Sequence, residues 1–475
     1  METNNNTTTE YSIYFENVEN TNPFEELIKV FLRPDRYRIE SEAGCGERIV
    51  FSYREDMDET RREIFRILSD RTGFVPPWGI MTGVRPVKLF GMLVSETGSE
   101  DAAVRLFRQR YLVSREKTEL TAEIYRLQQS SFKAAQPGTC GIYIGIPFCP
   151  TRCLYCSFAS NPADDEKIRK YLVALHREID FCISEMKKKG WRAESVYIGG
   201  GTPTTLSDAQ LDELLEHAGK LRTPYLKEFT VEAGRPDTIT ESKIRIMRDR
   251  GADRISINPQ SMKEETLKAI GRDHTPDDIR RAFAITAETA PDLTVNADII
   301  AGLPGETTDD IADTLKEIIG LGADNITVHS LAVKRASRLS DEDKDYHYSQ
   351  GKVVRNMLDR CGMILHDKGY APYYLYRQKH MSGALENTGY QKGDTPGLYN
   401  VRIMDEHQTI IAMGAGGISK LYDHEKDHLS RVPNVTNQEI YVDRIDEMME
   451  RKRTGLFRES INTKNQEGHD AYKRT

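Results

Sequence analysis

From residue 141 to about 335 the chain alternates short, apolar, β-branched runs with longer segments whose apolar residues recur every three or four positions. The runs at 141–146, 195–198, 228–232, 253–257, 294–300 and 325–329 predict strands, and the periodic segments at 165–189, 207–221, 241–250, 276–289 and 308–321 predict helices. In the first of these helices Ile168, Leu172, Leu175 and Ile179 fall on one face, which predicts a buried stripe. Alternation of this kind predicts an α/β fold, with parallel strands joined by crossover helices. In parallel α/β folds the chemistry sits at the carboxyl ends of the strands.

The flanking regions read differently. Residues 1–10 are polar, and disorder is expected there. Tyr11–Phe15, Tyr37–Glu40 and Arg48–Tyr53 read as strands, and Pro23–Leu32 reads as a helix. Thr60–Thr72 reads as an amphipathic helix with Ile64, Phe65, Ile67 and Leu68 on one face, giving a small α+β unit. Phe74–Gly79 is a turn-rich connector, and residues 84 to about 135 read as helical, with Leu106, Phe107, Tyr111 and Leu112 as expected core. Thr82–Lys88 reads either as an anion-binding helix start or as an ordinary capped helix. Residues 340–368 are charged and helical. Tyr370–Met381 then combines four tyrosines with Arg377, Lys379 and His380. It reads as a strand with a tyrosine face, as a surface for a flat anionic ligand, or as both. The tail from 444 is charged and reads as helix, then disorder. The expected division is therefore an N-terminal α+β and helical domain at 1–135, a barrel at 136–340 and a C-terminal α+β domain at 341–475.

Composition narrows the function classes. The chain has 475 residues, a net charge of −8 and 29% charged residues, as in a soluble, mildly acidic protein. It has no broad basic excess, so no nucleic-acid partner is expected. It has no run of about 18 apolar residues, so no membrane span is expected. The first residues lack the charged and apolar regions of a signal peptide. Seven cysteines in a chain of this length are sparse, so disulfides are not expected and a reduced, cytoplasmic setting is.

The candidate chemistry lies in Cys149-Pro-Thr-Arg-Cys153-Leu-Tyr-Cys156, a C-x-x-x-C-x-x-C loop directly after the first barrel strand and Pro147. Three thiolates this close suit an iron–sulfur cluster or zinc. A closed structural zinc site takes four ligands, and no His lies between Cys140 and Asn161 to complete one. A four-iron cluster held by three cysteines leaves one iron free to bind another ligand. Cys45, Cys140, Cys182 and Cys361 are scattered and read as buried or neutral thiols, with Cys140 a minor rival ligand.

This loop resembles the cluster loop of the radical S-adenosylmethionine (SAM) superfamily, and six strand–helix units resemble its partial (β/α)6 barrel. Within it, Tyr143–Cys149 and Gly199-Gly-Gly-Thr-Pro-Thr204 resemble the oxygen-independent coproporphyrinogen III oxidases. Val231–Asp237 and Leu385–Tyr390 resemble the coproporphyrinogen dehydrogenases of HemZ type. The resemblance covers roughly residues 140–440. It implies one 4Fe-4S cluster on Cys149, Cys153 and Cys156, and a SAM site from Tyr143, Gly200, Gly201, Thr202, Glu232, Gln260, Arg272, Asp298 and Ile300. The glycines would bind the methionine amino group of SAM, Glu232 would be a carboxylate that contacts SAM, and Arg272 would lie near the SAM carboxylate. Asp298 would meet the ribose hydroxyls and Ile300 the adenine. Asn258-Pro259 stands where the family more often has Gly-Val. His329 ends the sixth strand with no role implied. Met413–Lys420, with Asn434 and Asn437, resembles a family strand-turn and the loop after it.

The implied activity is oxidative decarboxylation of coproporphyrinogen III propionates by a SAM-derived radical, with a tetrapyrrole substrate and an electron donor such as flavodoxin or ferredoxin. Arg377, Lys379 and Lys420 are candidates to meet the propionates. Two features depart from the oxidases. Phe158 stands where they carry a further cysteine, and no N-terminal arm of theirs is found before residue 140. Glu386 stands where relatives carry the His of a His-Asn-x-x-Tyr-Trp motif, so a haem role of that His does not transfer. The alternatives are a haem-binding chaperone on the same scaffold and a haem-modifying radical SAM enzyme.

Overall fold

The computed structural model describes residues 10–458 apart from 19, 41–46, 54–55, 84, 157–160, 163, 333–338, 340–345, 347–349 and 379–381. Cys45, Phe158, Lys379 and His380 lie outside the described residues.

The N-terminal unit is a three-stranded parallel sheet with β1 (Tyr11–Glu16) between β2 (Tyr37–Glu40) and β3 (Glu47–Ser52). Helices α1 (Asn22–Phe31) and α2 (Met57–Thr72) accompany it. Ile13, Leu27, Phe51, Ile64 and Leu68 form its core. The helical stretch expected over 84–135 is three helices: α3 (Pro86–Thr97), α4 (Glu100–Tyr111) and α5 (Arg115–Ser131). Gly98 ends α3 at φ 66°, and the Ser99 and Ser114 side chains cap α4 and α5 by accepting from Ala102 N and Lys117 N. The core of these helices, with Trp78, Phe90 and Phe107, also takes in Leu375 from far downstream.

The six expected strands form in register-matched parallel neighbours. They are β4 (Thr139–Ile146), β7 (Arg192–Gly200), β8 (Glu228–Glu232), β9 (Arg254–Gln260), β10 (Thr294–Ala301) and β11 (Asn325–Ser330). The short strands β5 (Phe148–Cys149) and β6 (Asn161–Pro162) pair within the cysteine loop. The crossover helices are α6 (Asp165–Lys189), α7 (Asp208–Gly219), α8 (Glu241–Asp249), α9 (Glu264–Ala269), α10 (Pro276–Thr289) and α11 (Thr308–Gly320). Ser207, Thr275 and Thr307 start α7, α10 and α11 with reciprocal capping boxes.

The sheet continues beyond the six strands. After α12 (Gly351–Asp367), β12 (Tyr370–Tyr376) and β13 (Asn387–Lys392) add an antiparallel edge beside β11. After α13 (Leu398–Asp405), β14 (Thr409–Met413) pairs parallel to β4 as a seventh parallel strand. The antiparallel strands β15 (Ile418–Asp423) and β16 (His428–Pro433) then complete an eleven-stranded sheet. Its order runs from β12 to β16 without closure, so the barrel is partial. The β14 run Thr-Ile-Ile-Ala-Met is buried at every position, as a strand covered on both faces must be.

The amino end of the barrel is plugged by α13 and the loop before it. The Glu228 carboxylate accepts the Leu398 N–H at 2.5 Å and the Tyr399 N–H at 3.2 Å, placing an anion at the start of the helix. Arg254 and Asn325 both donate to Thr395 O, at 2.8 and 2.7 Å. The chain ends on α14 (Gln438–Asp443) and α15 (Ile445–Gly455). There the fully buried Lys452 donates to Glu178 of α6 at 2.7 Å and to Asn434 at 2.6 Å. No helix among the described residues is long and apolar enough to cross a membrane.

Candidate cluster and cofactor site

The cysteine loop leaves the carboxyl end of β4 and is pinned on two sides. On one side the Gly199–Thr202 strap crosses beneath it. Gly201 N donates to Ile146 O at 2.8 Å and Thr202 N to Phe148 O at 2.7 Å. On the other, Leu154 N donates to Ile270 O at 2.8 Å, and Thr151 Oγ1 to Gly271 O at 3.3 Å. The Arg235 guanidinium donates to Thr151 Oγ1 at 2.9 Å while it forks onto Asp237 at 3.0 and 3.2 Å. A loop held by so many main-chain bonds keeps its thiols in place without relying on its own short strands.

The strap tolerates only glycine where it nears the sulfurs. A Cβ on Gly201 would lie 2.5 Å from Phe148 O and 3.0 Å from Cys149 Sγ. Gly200 sits at φ +113°, where L side chains are strained. Cys149 Sγ is 3.5 Å from Thr202 Oγ1. Burial pushes the Cys149 thiol up, and the Thr202 hydroxyl opposes that shift. Cys153 is buried, and the buried Arg272 side chain bonds to it and to Tyr155. Arg272 Nη1 also donates to Asn258 O at 2.6 Å, so its guanidinium braces the loop from below. Among the described residues the one trio of His, Cys, Asp or Glu with ligand atoms within 4.8 Å of one another is His176, Glu213 and His217. The three loop thiols are not such a trio.

Next to the thiols lies a polar and aromatic interior. Glu232, the last residue of β8, accepts a short hydrogen bond from Tyr197 OH and one from Gly200 N–H, and a Cβ on Gly199 would lie 2.9 Å from its carboxyl carbon. Burial pushes the Glu232 carboxyl up to about 7, Asp298 adds to the shift, and the Tyr197 hydroxyl opposes it. Tyr197 stacks on Tyr399 at 4.7 Å and on Tyr143 at 6.3 Å, so three parallel rings line this part of the barrel. Gln260 ends β9 at φ 67°, and its buried Oε1 has no hydrogen-bond partner among the described residues. The buried Asn258 Oδ1 has none either. Orphaned acceptors and a strained non-glycine residue at a strand end mark a place built for a polar ligand.

The register between β9 and β10 slips at Asn258-Pro259, which stand opposite the single residue Asp298. A bulge of this kind re-aims side chains beside a site. The Asp298 carboxylate lies 3.6 Å from His329 Nε2, and Tyr376 OH lies 3.4 Å from His329 Nδ1. Ile300 is buried beside His329 in the β10–β11 register.

The structure therefore brings Cys149, Cys153, Gly201, Thr202 and Arg272 together, and sets Tyr143, Gly200 and Glu232 beside them. Gln260 ends the fourth strand, and Asp298 and Ile300 sit near the end of the fifth. Arg377 does not join them. Its guanidinium is buried, donates to Met81 O at 2.7 Å and Ala384 O at 2.8 Å, and lies over the Trp78 ring. Its Nη groups thus tie the connector before α3 to the loop before β13. Lys420 does not join them either. It lies opposite Ile410, which pairs with Gly141 near the amino end of β4. Tyr197, Tyr399, Arg235 and Thr151 were missed by motif reading. For Tyr197 a signal existed, since it alternates with Gly199 on one strand face. For Tyr399 none did, because only the plug helix brings it in.

The family model described as Radical SAM superfamily matches residues 143–318. The chain is 36% identical over 392 residues to the oxygen-independent coproporphyrinogen-III oxidase-like protein HemZ of Bacillus subtilis, covering 81% of this chain and 78% of that one. It is 33% identical over 195 residues to the heme chaperone HemW of the same organism, covering 40% of this chain and 50% of that one. Coproporphyrinogen III oxidase (HemN) from Escherichia coli shares the fold, with a TM-score of 0.53, 21% identity, and coverage of 68% of this chain and 73% of that one. Likeness to HemZ over most of both chains, on a partial barrel that presents three thiols at its strand ends, means that the chain belongs to the radical SAM superfamily and, within it, to the oxygen-independent coproporphyrinogen III oxidase family of HemZ type.

Proposed function

We propose that this protein is a radical SAM oxidoreductase that converts two propionates of coproporphyrinogen III to vinyl groups without oxygen. The observation that carries the reading is the three-thiol loop clamped over the glycine strap, in a chain similar to HemZ over 81% of its length. When bound, a 4Fe-4S cluster and SAM supply the radical that removes hydrogen from the substrate. Cys149, Cys153 and Cys156 would hold the cluster. Gly200 and Gly201 let main-chain groups approach an amino-acid moiety, with Thr202 and Tyr143 beside them. Glu232 accepts from its ammonium, oriented by Tyr197. Gln260 Oε1 offers a free acceptor, Asp298 meets ribose hydroxyls, and Ile300 offers apolar surface to adenine. Arg272 serves this site by bracing the loop. The tyrosine rings give a flat wall for a tetrapyrrole and exclude water.

The substrate balance is simple. Each propionate loses one hydrogen atom, carbon dioxide and one electron, and a carbon–carbon double bond forms. An electron donor such as flavodoxin or ferredoxin, in the cytoplasm, fits the need for a reduced cluster. The test is an anaerobic assay with SAM, a reductant and coproporphyrinogen III, read by mass. Two losses of a formic acid equivalent support the reading; an added methyl group or unchanged substrate opposes it.

A second reading, haem handling without oxidation, is favoured by the likeness to HemW and by Phe158 in place of the further cysteine. Porphyrin binding without 5′-deoxyadenosine formation would select it.

A further inference from the structure

A cleft of about 650 Å³ lies between the N-terminal helices and the β14–β15 edge of the sheet, within the range of small-molecule sites. Tyr125 of α5, Phe132 and Tyr422 of β15 line it, and Arg85 and Lys88 at the start of α3 stand at one side. There a single carboxylate, Glu406, is shared by four cations. Arg85 Nη2 lies 2.8 Å from it, Lys420 and Arg431 each 3.6 Å, and Lys88 3.9 Å. Four positive groups around one negative group leave three charges unbalanced in the cluster. Arg85 Nε is buried with no partner among the described residues. Burial lowers the hold of Arg85 on its proton, Glu406 opposes that shift, and the neighbouring Arg431 adds to it. Burial and the Arg85 charge do the same to Lys420. Two acids line the other side of the cleft, each with a hydrogen-bond partner of its own. Asp405 pairs with His407 at 2.8 Å, and Asp427 accepts from Tyr422 OH at 3.0 Å.

We infer that this cleft binds a flat aromatic ligand through a carboxylate or phosphate group placed on Arg85 and Lys88, with its rings against Tyr125, Phe132 and Tyr422. The site is remote from the thiols. Glu406 precedes β14 by a short turn, and Thr409 pairs with Cys140 at the amino end of β4, whereas the cysteine loop leaves the carboxyl end. The strand between them spans about 25 Å. The inference therefore stands apart from the barrel chemistry. It gives the Thr82–Lys88 helix start its anion, with side-chain cations rather than the helix terminus alone as the reason.

Two sources share this chemistry: a porphyrin, through its propionates, and a nucleotide, through its phosphates. Full-length protein titrated with coproporphyrin III by fluorescence and with ATP by calorimetry separates them. At least one probe is expected to bind. Arg85→Ala with Lys88→Ala is expected to weaken it about tenfold, the usual scale for losing charged hydrogen bonds. Glu406→Gln is expected to tighten it, because the competing carboxylate is gone, and a damaged fold cannot produce that direction. Replacing all three loop cysteines by alanine is expected to leave binding unchanged, so failure of the barrel reading does not touch this one. The inference is overturned if neither probe binds, if the double variant binds as the parent does, if Glu406→Gln weakens binding, or if loss of the cysteines abolishes it.

Discussion

Trp78 Nε1 donates to Glu386 Oε2 at 2.7 Å, and Lys117 Nζ donates to the other oxygen of the same carboxylate at 2.6 Å. Both charged side chains are nearly dry, with 9% of Lys117 and 3% of Glu386 exposed. Through these two bonds Glu386, just before β13, is tied to the N-terminal helices and to the connector before them. The consequence is a dock that fixes those helices against the β12–β13 edge.

Breaking that dock from one side should be costly. Glu386→Gln leaves the nearly dry Lys117 cation only the exposed Asp359, 3.9 Å away, as a counter-charge, a loss of about 3 kcal/mol. Urea unfolding should show the loss, and Lys117→Met together with Glu386→Leu should recover most of it, since neither then strands a charge.

Lys452 and Glu178 form a still drier pair, each with 0% of its side chain exposed. Glu178 also accepts from Gly414 N at 2.7 Å and Tyr441 OH at 2.6 Å, tying the turn after β14 to α6. Lys452→Met should lower stability by about 3 kcal/mol or more. Thermal unfolding measures it, and an unchanged midpoint would show the pair to be dispensable.

Gly201→Ala tests the strap. The added Cβ meets Phe148 O at 2.5 Å, a backbone atom that can yield only by moving the cysteine loop. Iron incorporation on anaerobic reconstitution should fall well below that of the parent, while Gly219→Ala, with nothing within 4 Å, should leave it unchanged.

Glu232 gives a pH signature. Its folded pKa of about 7 lies above the ordinary carboxylate value of 4.5. Below about pH 4.5 the carboxyl is neutral in both states and costs nothing. As pH rises from there through 7, the folded state alone retains the proton and must give it up at a cost on the order of 1–3 kcal/mol. Glu232→Gln should therefore stabilise the protein at pH 8 and leave it unchanged near pH 4. SAM cleavage by the parent should rise through pH 7 as the carboxylate forms, and the variant should lose that rise.

Much of the barrel was legible because strands buried on both faces read as unbroken apolar runs, and every crossover helix but the short α9 carries its own side-chain cap and stripe. The cysteine loop was legible because three soft ligands packed into eight residues suit little besides a metal centre. What stayed hidden was joined by tertiary contact alone. Nothing local marks Thr409–Met413 as the partner of β4, and its five-residue run reads equally as a strand of a separate domain. Arg377 looked free to meet an anion because Met81 and Trp78, which take up its charge, lie almost three hundred residues upstream. Lys117 and Glu386, 269 positions apart, were invisible as a pair for the same reason.

The most direct test is the cofactor content and SAM chemistry of anaerobically reconstituted protein beside its Cys153→Ala variant. The expected result is about four irons per chain in the parent, SAM cleaved to methionine and 5′-deoxyadenosine on reduction, and neither property in the variant. Zinc in place of iron in the parent, or a variant that keeps its cluster and cleaves SAM, would contradict the three-thiol site on which the proposed chemistry rests.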